Sequence, residues 1–275
     1  MDYIKVIDLG HVVEVYEMER IPVNPHDYER KDEYSISNYF DEERTKETNR
    51  HYYEDVKDNI RHRENRKAER RSQTIRDARN RCRRLALMNF SENDTFMTLT
   101  FAENIQDIMY ADNEFKKFMK RFNYKYKRKS KFLAVREFQK RGAIHYHLLI
   151  DWKLPATLQK EALRSLEREV GTKVWRHGFV NLRSLRGQKK KDKPVDNVGA
   201  YLVKYMTKNL FNNKLRQIKL YLCSRCLKRP KIYIQEEACA FLQDNEISTH
   251  REVFRNAYVN DYTGKIIYKE YNLIR

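Results

Sequence analysis

The strongest constraint on this chain is a change of composition at Leu85. From Asp41 to Arg84 the sequence is dense in both charges and almost free of large aliphatic residues, whereas beyond Leu85 apolar residues recur at strand and helix spacing. A main core can therefore be built only from about Leu85 onward. The 41–84 stretch reads as an exposed helix or a partly disordered arm, with 11 Lys/Arg against 3 Asp/Glu between residues 61 and 84. Ahead of it, Tyr3 to Asp8 and Val12 to Tyr16 flank Gly10 as a short β-hairpin, and the polar stretch 23–40 reads as a linker.

Past Leu85 the elements alternate. Phe96-Met97-Thr98-Leu99-Thr100-Phe101 has the Thr and aromatic content of a strand. Residues 112–128 suit an amphipathic helix, with Phe115, Phe118, Met119 and Phe122 on one face. Strands over 131–138 and 143–150 are joined by Gln139-Lys140-Arg141-Gly142. A helix over 157–170, a strand over 179–185 and a helix over 196–210 follow. Helices mixed with hairpins predict an α+β fold with a central antiparallel sheet flanked by helices. The expected domains are an N-terminal hairpin and charged arm (1–84), a main domain (85–235) and an extension (236–275). In the extension, Tyr262 to Tyr268 suggests another hairpin that could join the sheet begun at residues 3–16.

Charge and glycine content narrow the function. Lys and Arg number 57 against 39 Asp and Glu, a formal charge of +18, which points to a polyanionic partner such as nucleic acid. The seven glycines form neither G-x-x-x-x-G-K-[ST] nor G-x-G-x-x-G, so a P-loop NTPase and a dinucleotide fold are both excluded. Any strand separation must come from a partner. No apolar run is long enough to span a membrane, and Met1 to Lys5 lack the layout of a signal peptide. A soluble, cytoplasmic protein is the expectation.

The segment Gly142-Ala143-Ile144-His145-Tyr146-His147-Leu148-Leu149-Ile150 bears most directly on chemistry. On a strand, His145 and His147 share one face, while Ile144, Tyr146, Leu148 and Ile150 take the other. The turn near Arg141 sets Glu137 opposite His145, bringing two imidazoles and a carboxylate onto adjacent strands. Such a mixed N/O set suits Mn²⁺ or Mg²⁺ working on phosphate oxygens, and it also admits Zn²⁺. The plainer alternative is two polar residues on an exposed edge, with Glu137 paired to Arg136, Lys140 or Arg141. Further along, Tyr201 and Tyr205 repeat at helical spacing, and Lys204 and Lys208 each follow a tyrosine by three residues. The phenols are candidate nucleophiles if metal or Lys⁺ favours their anions; otherwise they form an aromatic core stripe.

These three segments, Phe96 to Phe101, His145-Tyr146-His147 and the Tyr201/Tyr205 helix, occur in the order of the motifs of rolling-circle replication initiators. Over about residues 70–235 the chain resembles that family, the HUH endonucleases, whose fold is ferredoxin- or RRM-like. The doubled Tyr-x-x-Lys is similar to the two-tyrosine initiators of single-stranded DNA phages. Val135 to Gly142 and Ser224 to Pro230 resemble bacterial and phage replication-associated proteins. The resemblance implies a divalent-metal nickase, with His145, His147 and Glu137 as metal ligands on a central strand and its neighbour. Tyr201 and Tyr205 would be the nucleophiles, aided by Lys204 or Lys208. They would form a 5′-phosphotyrosine link and leave a free 3′-OH primer, and a second transfer would rejoin the strand. The implied partners are single-stranded DNA at a replication origin, often a hairpin, with a host helicase and DNA polymerase. The one departure is Tyr146 in place of an aliphatic residue between the histidines.

Substrate contacts are expected in two basic segments. Residues 116–131 hold nine Lys/Arg and no Asp/Glu, and Tyr124, Lys125, Tyr126, Lys127, Arg128, Lys129 and Lys131 have the composition of a single-strand binding surface. Gly187 to Lys193, with Lys189, Lys190 and Lys191, reads as a mobile basic loop. Cys223 and Cys226 form a C-x-x-C, but Cys82, Cys239 and His250 lack the spacing of a second zinc pair, so reduced cysteines are expected. Two other functions fit the charge: a non-catalytic DNA-binding regulator, and a conjugative relaxase. The relaxase normally has its tyrosine before its histidines, the reverse of the order here.

Overall fold

The computed structural model describes residues 3–21, 46–155, 158–185, 189–190, 193–194, 198–207, 218–260 and 263–274. In chain order it forms β1 (Tyr3–Asp8), β2 (Val12–Met18), α1 (Lys46–Asn89), β3 (Thr95–Phe101), α2 (Ile108–Lys125), β4 (Phe132–Phe138) and β5 (Ile144–Ile150). Next, α3 (Lys160–Glu169) runs into a π-helical turn (Val170–Trp175), followed by β6 (Gly178–Ser184). The two-residue strands β7 (Lys189–Lys190) and β8 (Lys193–Pro194) precede α4 (Val198–Thr207). The remaining elements are β9 (Tyr221–Cys223), β10 (Lys231–Ile234), α5 (Gln235–Asp244), a 3₁₀ turn (Ile247–Thr249), β11 (Arg251–Asn260) and β12 (Gly264–Asn272). No helix among the described residues is long and apolar enough to cross a membrane.

The chain divides into two compact units. The larger comprises Asp8–Val12 and Asp77–Lys231. Its antiparallel sheet has the order β6-β3-β5-β4-β9, so the two histidines lie on its central strand, β5. One face buries Leu99, Tyr146, Leu148 and Ile150 against Phe115, Phe118 and Phe122 of α2 and Trp175 of the π-turn. On the other face α4 packs across β4 and β5, with Leu202, Val203 and Met206 buried. The unit begins before Leu85 because Ala78, Cys82 and Ala86 are buried along the last turns of α1. The smaller unit, Met1–Ile7, Val13–Arg76 and Ile232–Arg275, has a sheet of order β10-β1-β2-β12-β11. Val6, Val13 and Val15 pack there with Ala238 and Ile247. The β11–β12 hairpin is longer than the sequence suggests, and β12 lies beside β2, extending the sheet that β1 and β2 begin.

Three elements differ from the sequence reading. Helix α2 starts four residues early because the Asp107 carboxylate caps the backbone N–H groups of Met109 and Tyr110. It ends at Lys125, before Lys127 takes a positive φ of 47°. The 157–170 helix does not stop at Val170 but widens into the π-turn. There the Trp175 indole N–H donates to the Thr100 carbonyl, 2.9 Å, and Arg121 Nε donates to the Val174 carbonyl, 2.6 Å. The segment expected as a loop before the tyrosine helix contains the short β7–β8 hairpin, with Lys189 opposite Pro194. The expected linker 23–40 lies outside the described residues, whereas the charged arm is helical from Lys46.

Candidate active site

Strand register builds the centre of the site. Glu137 on β4 is the cross-strand partner of His145 on β5, and His147 is paired with Thr98 of β3 on its other side. The alternation that puts Tyr146 in the core therefore puts Glu137, His145, His147 and Thr98 on one face. His147 is buried, its Nε2 2.5 Å from Glu137 Oε2 and its Nδ1 3.1 Å from Thr98 Oγ1. One tautomer satisfies both contacts: Nε2–H donates to the carboxylate, and Nδ1 accepts the threonine hydroxyl proton.

His145 is held differently. Its Nε2 is buried with no hydrogen-bond partner among the described residues. Burial, with His147 and Arg141 nearby and only partly offset by Glu137, pushes its pKa down to about 4. The ring is therefore neutral at neutral pH, the state a metal ligand requires. Among the described residues, no three His, Cys, Asp or Glu side chains already surround a common point as metal ligands do. Glu137 and His147 instead satisfy each other. The donor set and the orphaned nitrogen fit a divalent cation once that mutual contact opens.

Behind the sheet, Arg136 and Tyr146 are themselves cross-strand partners, and both bind Asp112 of α2. Arg136 Nε donates to Asp112 Oδ1 at 2.7 Å, and the Tyr146 hydroxyl donates to the same oxygen at 2.7 Å. Arg136 also bonds the Lys219 carbonyl at 2.6 Å. This buried network holds together the residue pair immediately beside Glu137 and His145. Tyr146, where the resembling family has an aliphatic residue, thus supplies a hydroxyl anchor as well as core.

Helix α4 brings the tyrosines over the same face. The Tyr205 ring stacks on His147 with centroids 3.8 Å apart, and Tyr201 meets Phe96 edge-on at 4.7 Å. Lys204 Nζ lies 3.7 Å from the Tyr201 ring centroid and 4.8 Å from that of Tyr205. Burial alone would raise the Tyr201 phenol, but a hydrogen bond from Tyr205, the Lys204 charge and a hydrogen bond from Arg183 hold it below its ordinary value. Tyr205 is pushed up, by burial first and then by its bond to Tyr201. Gly199 allows this placement: a Cβ there would stand 2.6 Å from the Arg83 carbonyl oxygen of α1. Lys208 lies outside the described residues.

The basic segment 124–131 is elsewhere. It enters β4 at Phe132, six residues and about 20 Å of strand before Glu137. Tyr124 is 89% exposed and Lys127 and Lys129 are exposed, but Lys125 pairs with Glu169, and Arg128 pairs with Asp151 at 2.9 Å. Tyr126 is not available for stacking: its ring packs on Phe122 and Trp152 at 4.6 and 5.0 Å, and its hydroxyl is buried. Lys131 is half-buried; Lys189 and Lys190 form β7, and Lys191 lies outside the described residues. The four cysteines are free thiols, and Cys82 is pushed up by burial and then by the proximity of Cys223.

The sequence reading missed two polar side chains of this face. Thr98 lies in the first resembling motif, but its bond to His147 depends on β3–β5 register. Arg183 lies on β6 in strand alternation with the buried Val180 and Leu182, a pattern that assigned it to the opposite face from them, yet nothing local marked that face as the histidine face. With both added, the site spans β3, β4, β5, β6 and α4. Residues 94–210 match the family model for replication-associated proteins of the ORF2 type. The match covers less than half of the chain but includes every one of those elements. No curated protein and no solved structure matches the chain.

Proposed function

We propose that the chain initiates rolling-circle DNA replication by nicking and rejoining single-stranded DNA through a phosphotyrosine. One observation carries the reading: two tyrosines on one helix lie against the sheet face where Glu137, His145 and His147 meet. The match to replication-associated proteins supports the same class of activity. His145, His147 and Glu137 would hold Mn²⁺ or Mg²⁺, which when bound draws charge from the non-bridging phosphate oxygens.

The chain's own residues supply the rest. Lys204 and Arg183 favour the Tyr201 phenolate and attract the phosphate. The phenolate oxygen bonds to phosphorus, the P–O3′ bond breaks, and the departing oxygen takes a proton from solvent to become the 3′-OH. Tyr205, one turn away, is placed for a second cleavage, after which a 3′-OH attacks the first phosphotyrosine and releases Tyr201. A denaturing gel with labelled single-stranded origin DNA, with Mn²⁺ or with chelator, tests the proposal. A metal-dependent covalent adduct is expected, absent from the Tyr201→Phe/Tyr205→Phe double variant. An adduct that survives the double substitution would overturn the nucleophile assignment. Salt-sensitive binding with no adduct would leave a DNA-binding regulator.

A further inference from the structure

Edge strand β6 continues the rows of the site face outward. Phe179 pairs with Thr100, which pairs with His145, which pairs with Glu137. Asn181 continues the row of Thr98 and His147, and Arg183 that of Phe96. Phe179 is 70% exposed on this face, two strand spacings or about 10 Å from His145. An aromatic ring so exposed on a folded sheet, in register with a candidate reaction centre, is costly unless something covers it.

The surroundings specify what that is. Arg183 is exposed, its Nε bonded to Asn181 Oδ1 at 3.0 Å, while Asn181 Nδ2 bonds Glu167 Oε1 at 2.9 Å. This chain of contacts steadies the guanidinium, which also bonds Tyr201. Exposed Lys204 and Arg141 stand beside the same face, and Arg141 is close enough to lower the pKa of His145. A ring set among cations suits a base and its phosphates, not an apolar peptide. We infer that β6 is the track for the single strand: a nucleobase beside the reacting phosphate stacks on Phe179, and Arg183 holds the intervening phosphate. The inference rests on the proposed single-strand substrate but not on cleavage, so binding alone can test it.

The experiment uses the full chain carrying Tyr201→Phe and Tyr205→Phe, in chelator, with a fluorescent mixed-sequence single strand. Anisotropy is followed across a salt series. Phe179→Ala should weaken binding about tenfold with the salt slope unchanged, and Phe179→Trp should restore it. Arg183→Gln should weaken binding and reduce the slope by about one phosphate contact. Duplex of the same sequence should not distinguish Phe179→Ala from its parent. Because Phe179 is exposed, an unchanged melting temperature separates lost stacking from lost fold. Parental affinity in Phe179→Ala overturns the inference and leaves the nickase proposal standing. The tenfold loss without any adduct in the unsubstituted chain upholds the track and removes the nickase. Equal loss on duplex and single strand also overturns it, as does a parent that binds no single strand.

Discussion

Tyr201 and Tyr205 are one helical turn apart, yet Lys204 Nζ is 3.7 Å from one ring and 4.8 Å from the other. Arg183 bonds Tyr201, while Tyr205 lies flat on His147 and its proton is held by burial. The fraction present as phenolate changes about tenfold for each unit separating two pKa values. Tyr201→Phe should therefore slow the first cleavage at least tenfold more than Tyr205→Phe does. Single-turnover adduct formation at neutral pH measures this, and equal rates for the two variants would show that the tyrosines are interchangeable. Strand alternation and the turn at Arg141 were enough to bring Glu137, His145 and His147 to one face from sequence. The inequality of the tyrosines was not legible, because it comes from Lys204 geometry and from Arg183, which arrives on another strand.

At the scale of elements, the site depends on how α2 and α4 hold the sheet between them. Asp112 accepts from both Arg136 and Tyr146, and the Arg136 side chain is 2% exposed. Asp112→Ala would leave that guanidinium buried without its carboxylate, so a loss of about 3–5 kcal/mol is expected in denaturant unfolding. Tyr146→Phe removes one hydroxyl and should cost about 0.5–1.5 kcal/mol; a loss as large as that of Asp112→Ala would mean the hydroxyl anchors more than this pair. Gly199→Ala acts from the opposite face. The added methyl would meet the Arg83 carbonyl at 2.6 Å and push α4 away, so adduct formation should fall more steeply than stability. Wild-type adduct rates in that variant would show that α4 tolerates displacement. Apolar spacing disclosed both helices, since Phe115, Phe118 and Phe122 repeat on one face. It could not disclose the π-turn, whose Trp175 and Arg121 bonds join residues distant in sequence.

Over the whole molecule, the smaller unit shows most clearly what local pattern withholds. Its sheet joins β1 and β2 to β10, β11 and β12, and Ile4 N–H reaches Gln235 Oε1 at 3.2 Å across 231 residues of chain. Each hairpin was visible in alternation, but a pairing so remote in sequence leaves only a weak mark in a single chain. Charge is the property the sequence states most completely, and it sets the last prediction. A surplus of +18 drives polyanion binding, and each phosphate neutralised on a single strand contributes about −0.7 to the slope of log affinity against log salt. Four such contacts predict a loss of roughly 50-fold between 50 and 200 mM salt. The exposed Lys127 and Lys129 lie about 20 Å of strand from Glu137, too far to touch the phosphate being cleaved. Lys127→Gln with Lys129→Gln should therefore flatten the salt slope by up to two contacts, while adduct formation at saturating DNA stays at the parental rate. An unchanged slope would show that the strand does not reach this segment. A slower adduct at saturation would place the segment in the chemistry itself, against the geometry of β4.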